Sequence, residues 1–163
     1  MILTELTPLV PLMRTELDAY GGMLGAFDRQ QAHLLARDLD EANAAAAEIE
    51  DLAQAAVTSR TSREKWVEAF ALARHEPADA SVRKLLSYFP LDHQPLIEAL
   101  ITEINHLIRR VRRRAEQNHN LLARAVEIHR DVLERLHPAA RQRTYAPSGK
   151  LSRAGLPAVA AQG

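Results

Sequence analysis

An apolar pattern of three positions in seven, held from Ile97 to Leu136, constrains this chain more than any other feature. With Ile97 at heptad position a, the a series reads Ile97, Ile104, Val111, Asn118, Ala125 and Val132. Position d reads Leu100, Leu107, Arg114, Leu121, Ile128 and Arg135, and position e reads Ile101, Ile108, Ala115, Leu122, His129 and Leu136. This spacing makes one continuous face on an α-helix. The helix is expected to begin around Asp92–Pro95, to run roughly 60 Å at ~1.5 Å per residue, and to stop at His137-Pro138.

The rest of the chain extends the helical reading. At 163 residues, length suggests one domain or one elongated helical unit. Hydrophobic residues make up 47%, much of it alanine, and aromatics only 4%, which suits thin, closely packed helices and not a β-sandwich. A first helix from about Leu6 to Leu35 carries Leu6, Val10, Met13, Leu17, Tyr20, Leu24, Phe27, Gln31 and Leu34 on one stripe, with Thr7-Pro8 as its cap and first turn. Gly21, Gly22 and Gly25 lie off that stripe and read either as a soft solvent face or as a flexible point or close helix contact. After the polar break Arg37-Asp38-Leu39-Asp40, a second stripe runs Leu39, Ala42, Ala46, Ile49, Ala53, Ala56, Arg60, Arg63, Val67 and Phe70. Thr61-Ser62-Arg63-Glu64 resembles a capping box, but continuation of one helix to about Arg74 is the favoured reading. The segment 75–80 is a linker. Ser81 caps a short helix from Val82 to about Phe89, which Pro90 ends. No strand candidate and no long repeat is present. The expected architecture is all-α: an elongated antiparallel hairpin or bundle of three long helices plus a short one. The expected division is a helical domain, residues 1–137, and a flexible tail, residues 138–163.

Several function classes are poorly supported. Lys+Arg and Asp+Glu are 21 each, so no net charge steers the chain towards nucleic acid or membrane. With no cysteine, disulfides, thiolate metal sites and Cys nucleophiles are excluded. No stretch is long and apolar enough to span a membrane, and the start lacks a secretory pattern, so a cytoplasmic location without membrane insertion is expected. Two Glu-x-x-His pairs, Glu103/His106 and Glu116/His119, have the ligand spacing used in di-iron bundles. They fall on one helix, ~20 Å apart and off the apolar seam, so no metal or other cofactor is expected. The run Arg109-Arg110-Val111-Arg112-Arg113-Arg114 sits mostly on solvated positions without interleaved aromatics. It reads as a solvated or ion-pairing face and not as a nucleic-acid site. No nucleophile–base arrangement and no phosphate loop is found, so no catalytic residue is assigned and the chain is not expected to be an enzyme.

Asn118, His129, Arg114 and Arg135 interrupt the seam. Either these positions face water in the free protein, or the seam is left uncovered for a partner. The surrounding residues resemble the FlgN family of flagellar export chaperones: Asn118, Leu121-Leu122, the stop Leu136-His137-Pro138, then Thr144-Tyr145 and Gly149. His119 stands where the family often has Gly, and the chain is neutral where export chaperones tend to be acidic.

That resemblance implies a cytosolic, non-enzymatic chaperone. It would bind the C-terminal helical segments of hook-associated proteins of the FlgK/FlgL type and deliver them to the type III export gate protein FlhA. It further implies Asn118, Leu121, Leu122, Ala125, Ile128 and Val132 as substrate contacts and Tyr145 as the gate-docking residue. The alternative reading of the same seam is a self-associating coiled-coil structural or adaptor protein.

Overall fold

The computed structural model describes residues 8–137. Helix α1 spans Leu9–Leu35 and α2 spans Leu39–Leu72. A 3-10 helix follows at Lys84–Tyr88, and α3 spans Gln94–Leu136. No strand occurs among the described residues. The all-α class and the three long helices are as expected. The chain divides into two units, Met1–Leu122 and Ala123–Gly163. The division falls inside α3. Thr7, Leu6 and the residue 138–163 tail lie outside the described residues.

In the first unit, α1 opens on Pro8, whose carbonyl accepts the Leu12 N–H at 3.2 Å. Pro11 sits in the first turn, where a missing N–H costs little. Both corners of the hairpin close without glycine. At the first, Arg37 takes a left-handed conformation (φ 59°). Its N–H bonds the Leu34 carbonyl and the Asp38 N–H bonds that of His33, which satisfies the last carbonyls of α1. Asp38 then caps α2 by accepting the Glu41 N–H at 3.2 Å. The second corner repeats the device with His75 (φ 60°) and with Glu76 bonding back to Ala71.

Helix α1 is central because it buries two faces. Towards α2 it offers small or short-reach positions: Glu16, Ala19, Gly22 and Ala26. A Cβ built on Gly22 lies 3.2 Å from Leu52 Cδ2, so this glycine permits the close approach. The contacts Glu16–Arg63, Gly22–Leu52 and Arg29–Glu48 run in opposite chain order, so the pair is antiparallel. Alanines 42, 45 and 56 are buried along α2, which is why two helices with few large side chains can pack. Leu39, placed on the α2 stripe from its spacing, is instead 57% exposed, because it sits in the first turn beyond the packed stretch.

Helix α2 does not break near residue 60. Thr58 Oγ1 donates to the Gln54 carbonyl at 3.0 Å and Ser59 Oγ to that of Ala55 at 2.9 Å. The hydroxyls bond inside the helix and do not compete with it. Glu64, read as part of a capping box, pairs with Arg60 at 2.7 Å. The short element is a 3-10 helix rather than the longer Val82–Phe89 helix. Ser81 does cap it, accepting the Lys84 N–H at 3.3 Å. Leu85 and Phe89 anchor it in a core that also holds Leu9, Met13, Val67, Phe70, Ile97 and Ile104. There Trp66, Phe70 and Phe89 stack at centroid distances of 4.9 and 5.1 Å, and the Arg74 guanidinium lies 3.4 Å from the Phe70 ring centre.

The first part of α3 runs parallel to α1. Ile97, Leu100 and Ile104 join the main core, while Leu107 and Val111 meet Leu24, with Leu17, Tyr20, Met23 and Phe27 around them. In the second unit, the described residues are the last turns of the same helix and His137. Every side chain there is exposed.

Candidate functional site

The a/d/e seam of α3 passes through three conditions. From Ile97 to Val111 its a and d positions are buried. At Arg114 and Asn118 it turns polar without turning to water. Arg114 Nε pairs with Asp28 Oδ1 at 2.6 Å, and its Nη1 donates to Gln31 Oε1, also at 2.6 Å. Asn118 is 4% exposed. Its Nδ2 donates to the Phe27 carbonyl at 2.8 Å and to Gln30 Oε1 at 2.9 Å. Of the two readings of these interruptions, neither describes them: both side chains clamp α3 to the end of α1. Asn118 therefore lies in an internal contact. Leu121 is half-buried, and Leu122 is exposed at the rim of a cavity of about 390 Å³ that Leu34, Ala42 and Asn118 also line.

In the second unit the seam is open. Val126, Ile128, Val132, Leu133 and Leu136 are each 47–67% exposed, and Ala125 and His129 are exposed among them. At about 100° per residue these side chains cover an arc of about 160°. Arg124, Glu127, Arg130, Asp131, Glu134 and Arg135 hold the remainder, with one i,i+4 contact, Arg130–Glu134, at 3.8 Å. This is an amphipathic face with no cover among the described residues. Ala125, Ile128 and Val132 fall on it. Val126 and Leu133, at heptad position b, widen it. A three-position register omits them, although their seven-residue spacing was the available signal. Tyr145 lies outside the described residues.

Other candidates resolve differently. Glu103, His106, Glu116 and His119 are all exposed, and no group of three metal-capable side chains occurs among the described residues. No helix of the described residues is long and apolar enough to cross a membrane. A buried ion pair went unread: Glu16 is fully buried and accepts from Arg63 Nε at 2.5 Å. Burial, helped by the neighbouring Glu16 carboxylate, pushes the Tyr20 phenol above its ordinary value. The signal for this pair was Arg63 itself, which with Arg60 places a guanidinium on an otherwise apolar stripe.

An orderly seam that ends in an open apolar face suits a protein that binds helices, and comparison of the whole sequence decides which kind. The sequence model of one family, described as FlgN protein, matches residues 1–153. The chain belongs to the FlgN family. The FlgN match takes in the open face and Tyr145 as well as the packed unit. Comparison with curated proteins and with solved structures gives no match. As a member of the FlgN family the protein is a flagellar export chaperone, acting in flagellum biogenesis and protein export.

Proposed function

We propose that this chaperone acts in the cytoplasm and holds the C-terminal helical segments of hook-associated proteins of the FlgK/FlgL type, and that the open face of α3 in the second unit is the platform. The observation that carries the proposal is the exposure of Val126, Ile128, Val132, Leu133 and Leu136 on one side of a charged helix. Exposed apolar area on these five residues is on the order of 500 Å², the size of the largest apolar patch on a typical soluble monomer, which is often a functional one. Covering it yields roughly 12 kcal/mol gross at about 25 cal/mol per Å². Lost translational freedom and ordering of the client helix remove much of that, which places affinity in the micromolar to nanomolar range. Leu121 and Leu122, in the first unit, are proposed as client contacts in their own right. Asn118 serves the platform by fixing the helix that carries it.

Delivery requires a second contact, and Tyr145 is proposed as the anchor that docks on the export gate protein FlhA. A tyrosine offers large area, few rotors and a hydroxyl. Titration of the full chain with a FlgK- or FlgL-type C-terminal segment tests the first role, and titration with the cytoplasmic part of FlhA tests the second. Ile128→Glu abolishes client binding and leaves gate binding unchanged, whereas Tyr145→Ala does the reverse. If neither variant changes either affinity, or each weakens both, the division of roles is wrong.

The same open face supports a second reading, self-association through two copies of the stripe. Sedimentation separates them: a concentration-independent dimer that Ile128→Glu dissolves, and that excludes client, replaces the first reading.

A further inference from the structure

The arginine run of α3 has no part in the client face, and the fold splits it. Arg110, Arg113 and Arg114 border one cavity with Leu24. Arg109 and Arg112 turn the other way, into a cleft of about 360 Å³ between α2 and α3, where they meet Arg60 and Arg63 over Ile104 and Ile108. Two of these four guanidinium groups are neutralised in place, Arg63 by Glu16 and Arg60 by Glu64. Arg109 and Arg112 have no acidic partner among the described residues. They are also like charges three residues apart on one helix, an arrangement that opposes itself. Such a cluster is relieved when an anion is bound.

The cleft continues into a second cavity of about 540 Å³, with which it shares Arg63, Ile104 and Asn105. Met13, Val67 and Ile101 line that part, together with the acidic Glu64 and Asp79 and the basic Arg63 and Arg83, whose charges balance. The slot as a whole has an apolar floor, and its excess positive charge lies at the Arg109–Arg112 end. An inorganic anion would leave the floor unused. The bases of a single-stranded nucleic acid would lack stacking partners, because no aromatic residue lines either cavity. A helix or extended segment with apolar side chains and carboxylates matches both features.

We propose that the slot between α2 and α3 docks an acidic amphipathic segment of a partner protein, with its apolar side chains on the half-buried Ile101 and Ile108 and its carboxylates on Arg109 and Arg112. All these residues belong to the first unit, so the proposal stands apart from the client platform.

The test uses the full chain and four probes: a labelled amphipathic Leu/Glu peptide, its Leu/Lys counterpart, a uridine-rich oligonucleotide and inorganic phosphate. Fluorescence anisotropy at low salt reads binding, phosphate and unlabelled oligonucleotide serving as competitors, and circular dichroism verifies that each variant is folded. The Leu/Glu peptide binds, and binding weakens as salt rises. The double variant R109E/R112E weakens it by about tenfold or more, whereas R110E/R113E, with the same change in charge, leaves it within about twofold. Ile128→Glu also leaves it unchanged, which separates this slot from the client face. Equal loss in both double variants would mean that net charge, not the slot, attracts the peptide. Preference for the Lys peptide, tighter binding of the oligonucleotide, full displacement by phosphate, or a homodimer dissolved by R109E/R112E would each overturn the proposal.

Discussion

Two valines at the same heptad position separate the packed part of α3 from its exposed part. Val111 is 8% exposed and packs with Leu24 and Leu107, whereas Val132 is 47% exposed. Truncation of either to alanine removes two methyl groups. At Val111 the lost transfer energy is about 1.6 kcal/mol, at about 0.8 kcal/mol per group. The cavity left by about 50 Å³ of missing side chain adds up to about 1.2 kcal/mol where the site cannot collapse. Alanine's better helix propensity returns about 0.5 kcal/mol, so the net loss is about 2 kcal/mol. At Val132 no cavity forms and little burial is lost, so propensity dominates and the variant is unchanged or more stable by a few tenths of a kcal/mol. Client binding reverses the order. Val132→Ala forfeits roughly 1 kcal/mol of burial against the client, about fivefold in affinity, and Val111→Ala forfeits nothing once the protein is folded. Denaturant titration followed at the helical circular-dichroism band gives the first pair of numbers, and calorimetric titration with a client segment gives the second. Equal destabilisation by the two substitutions would refute the division of the seam, and an unaltered client affinity in Val132→Ala would refute the use proposed for its open part.

Other perturbations probe the scaffold. Arg63→Met leaves the buried Glu16 carboxylate uncompensated and lowers stability by about 3 kcal/mol, and Glu16→Met added to it restores most of the loss; denaturant midpoints measure both, and no recovery in the double variant would mean that the pair is not the source of the loss. Gly21 has open space where a Cβ would go, so Gly21→Ala stabilises α1 by about 0.5–1 kcal/mol, read as a rise in thermal midpoint. Gly22→Ala gains less or loses, because its Cβ meets Leu52. The raised Tyr20 pKa fixes a sign in alkali. The unfolded phenol ionises near pH 10 while the folded one still holds its proton, so stability is complete below about pH 10 and declines as pH rises from there through the folded value. Ultraviolet titration of the phenolate beside a Tyr20→Phe control measures this, and identical alkaline stability in the two proteins would remove the coupling.

Periodicity made the three long helices legible, because a stripe of large side chains every three or four residues records which face is buried. It recorded only one face of α1. The second face is written in Ala19, Gly22 and Ala26, whose small size is the contact, and a hydrophobic count passes over it. The glycines of α1 were similarly ambiguous: Gly22 lies against Leu52 while Gly21 is open, and nothing in the local sequence distinguishes them. Chain reversal was marked by polar composition near residues 37–40, yet the left-handed positions are Arg37 and His75, residues that carry no turn preference comparable to glycine. The polar seam positions were visible as exceptions. Their meaning was not, because it depends on Asp28, Gln30, Gln31 and the Phe27 carbonyl across the contact. On the open face, alternation along one helix was sufficient to find Ala125, Ile128 and Val132. Exposure was not, since the same pattern in Ile97, Ile104 and Val111 is buried.

Helix lengths account for that difference. Helix α1 has 27 residues and α3 has 43, so α3 is the longer by about 16 residues, or ~24 Å. The clamps at Arg114 and Asn118 hold Phe27 to Gln31 of α1, within the first unit. An isolated helix as short as the remainder would be marginal in water, because nucleation is unfavourable. Here nucleation has already occurred in the packed portion, and the open turns are a propagation of it. In the proposed complex the face is already helical, and the client alone bears the entropy of ordering. A polar clamp serves this better than another leucine would. Asn118 hydrogen-bonds only in one register, so it fixes the axial position of α3 against α1 within the first unit.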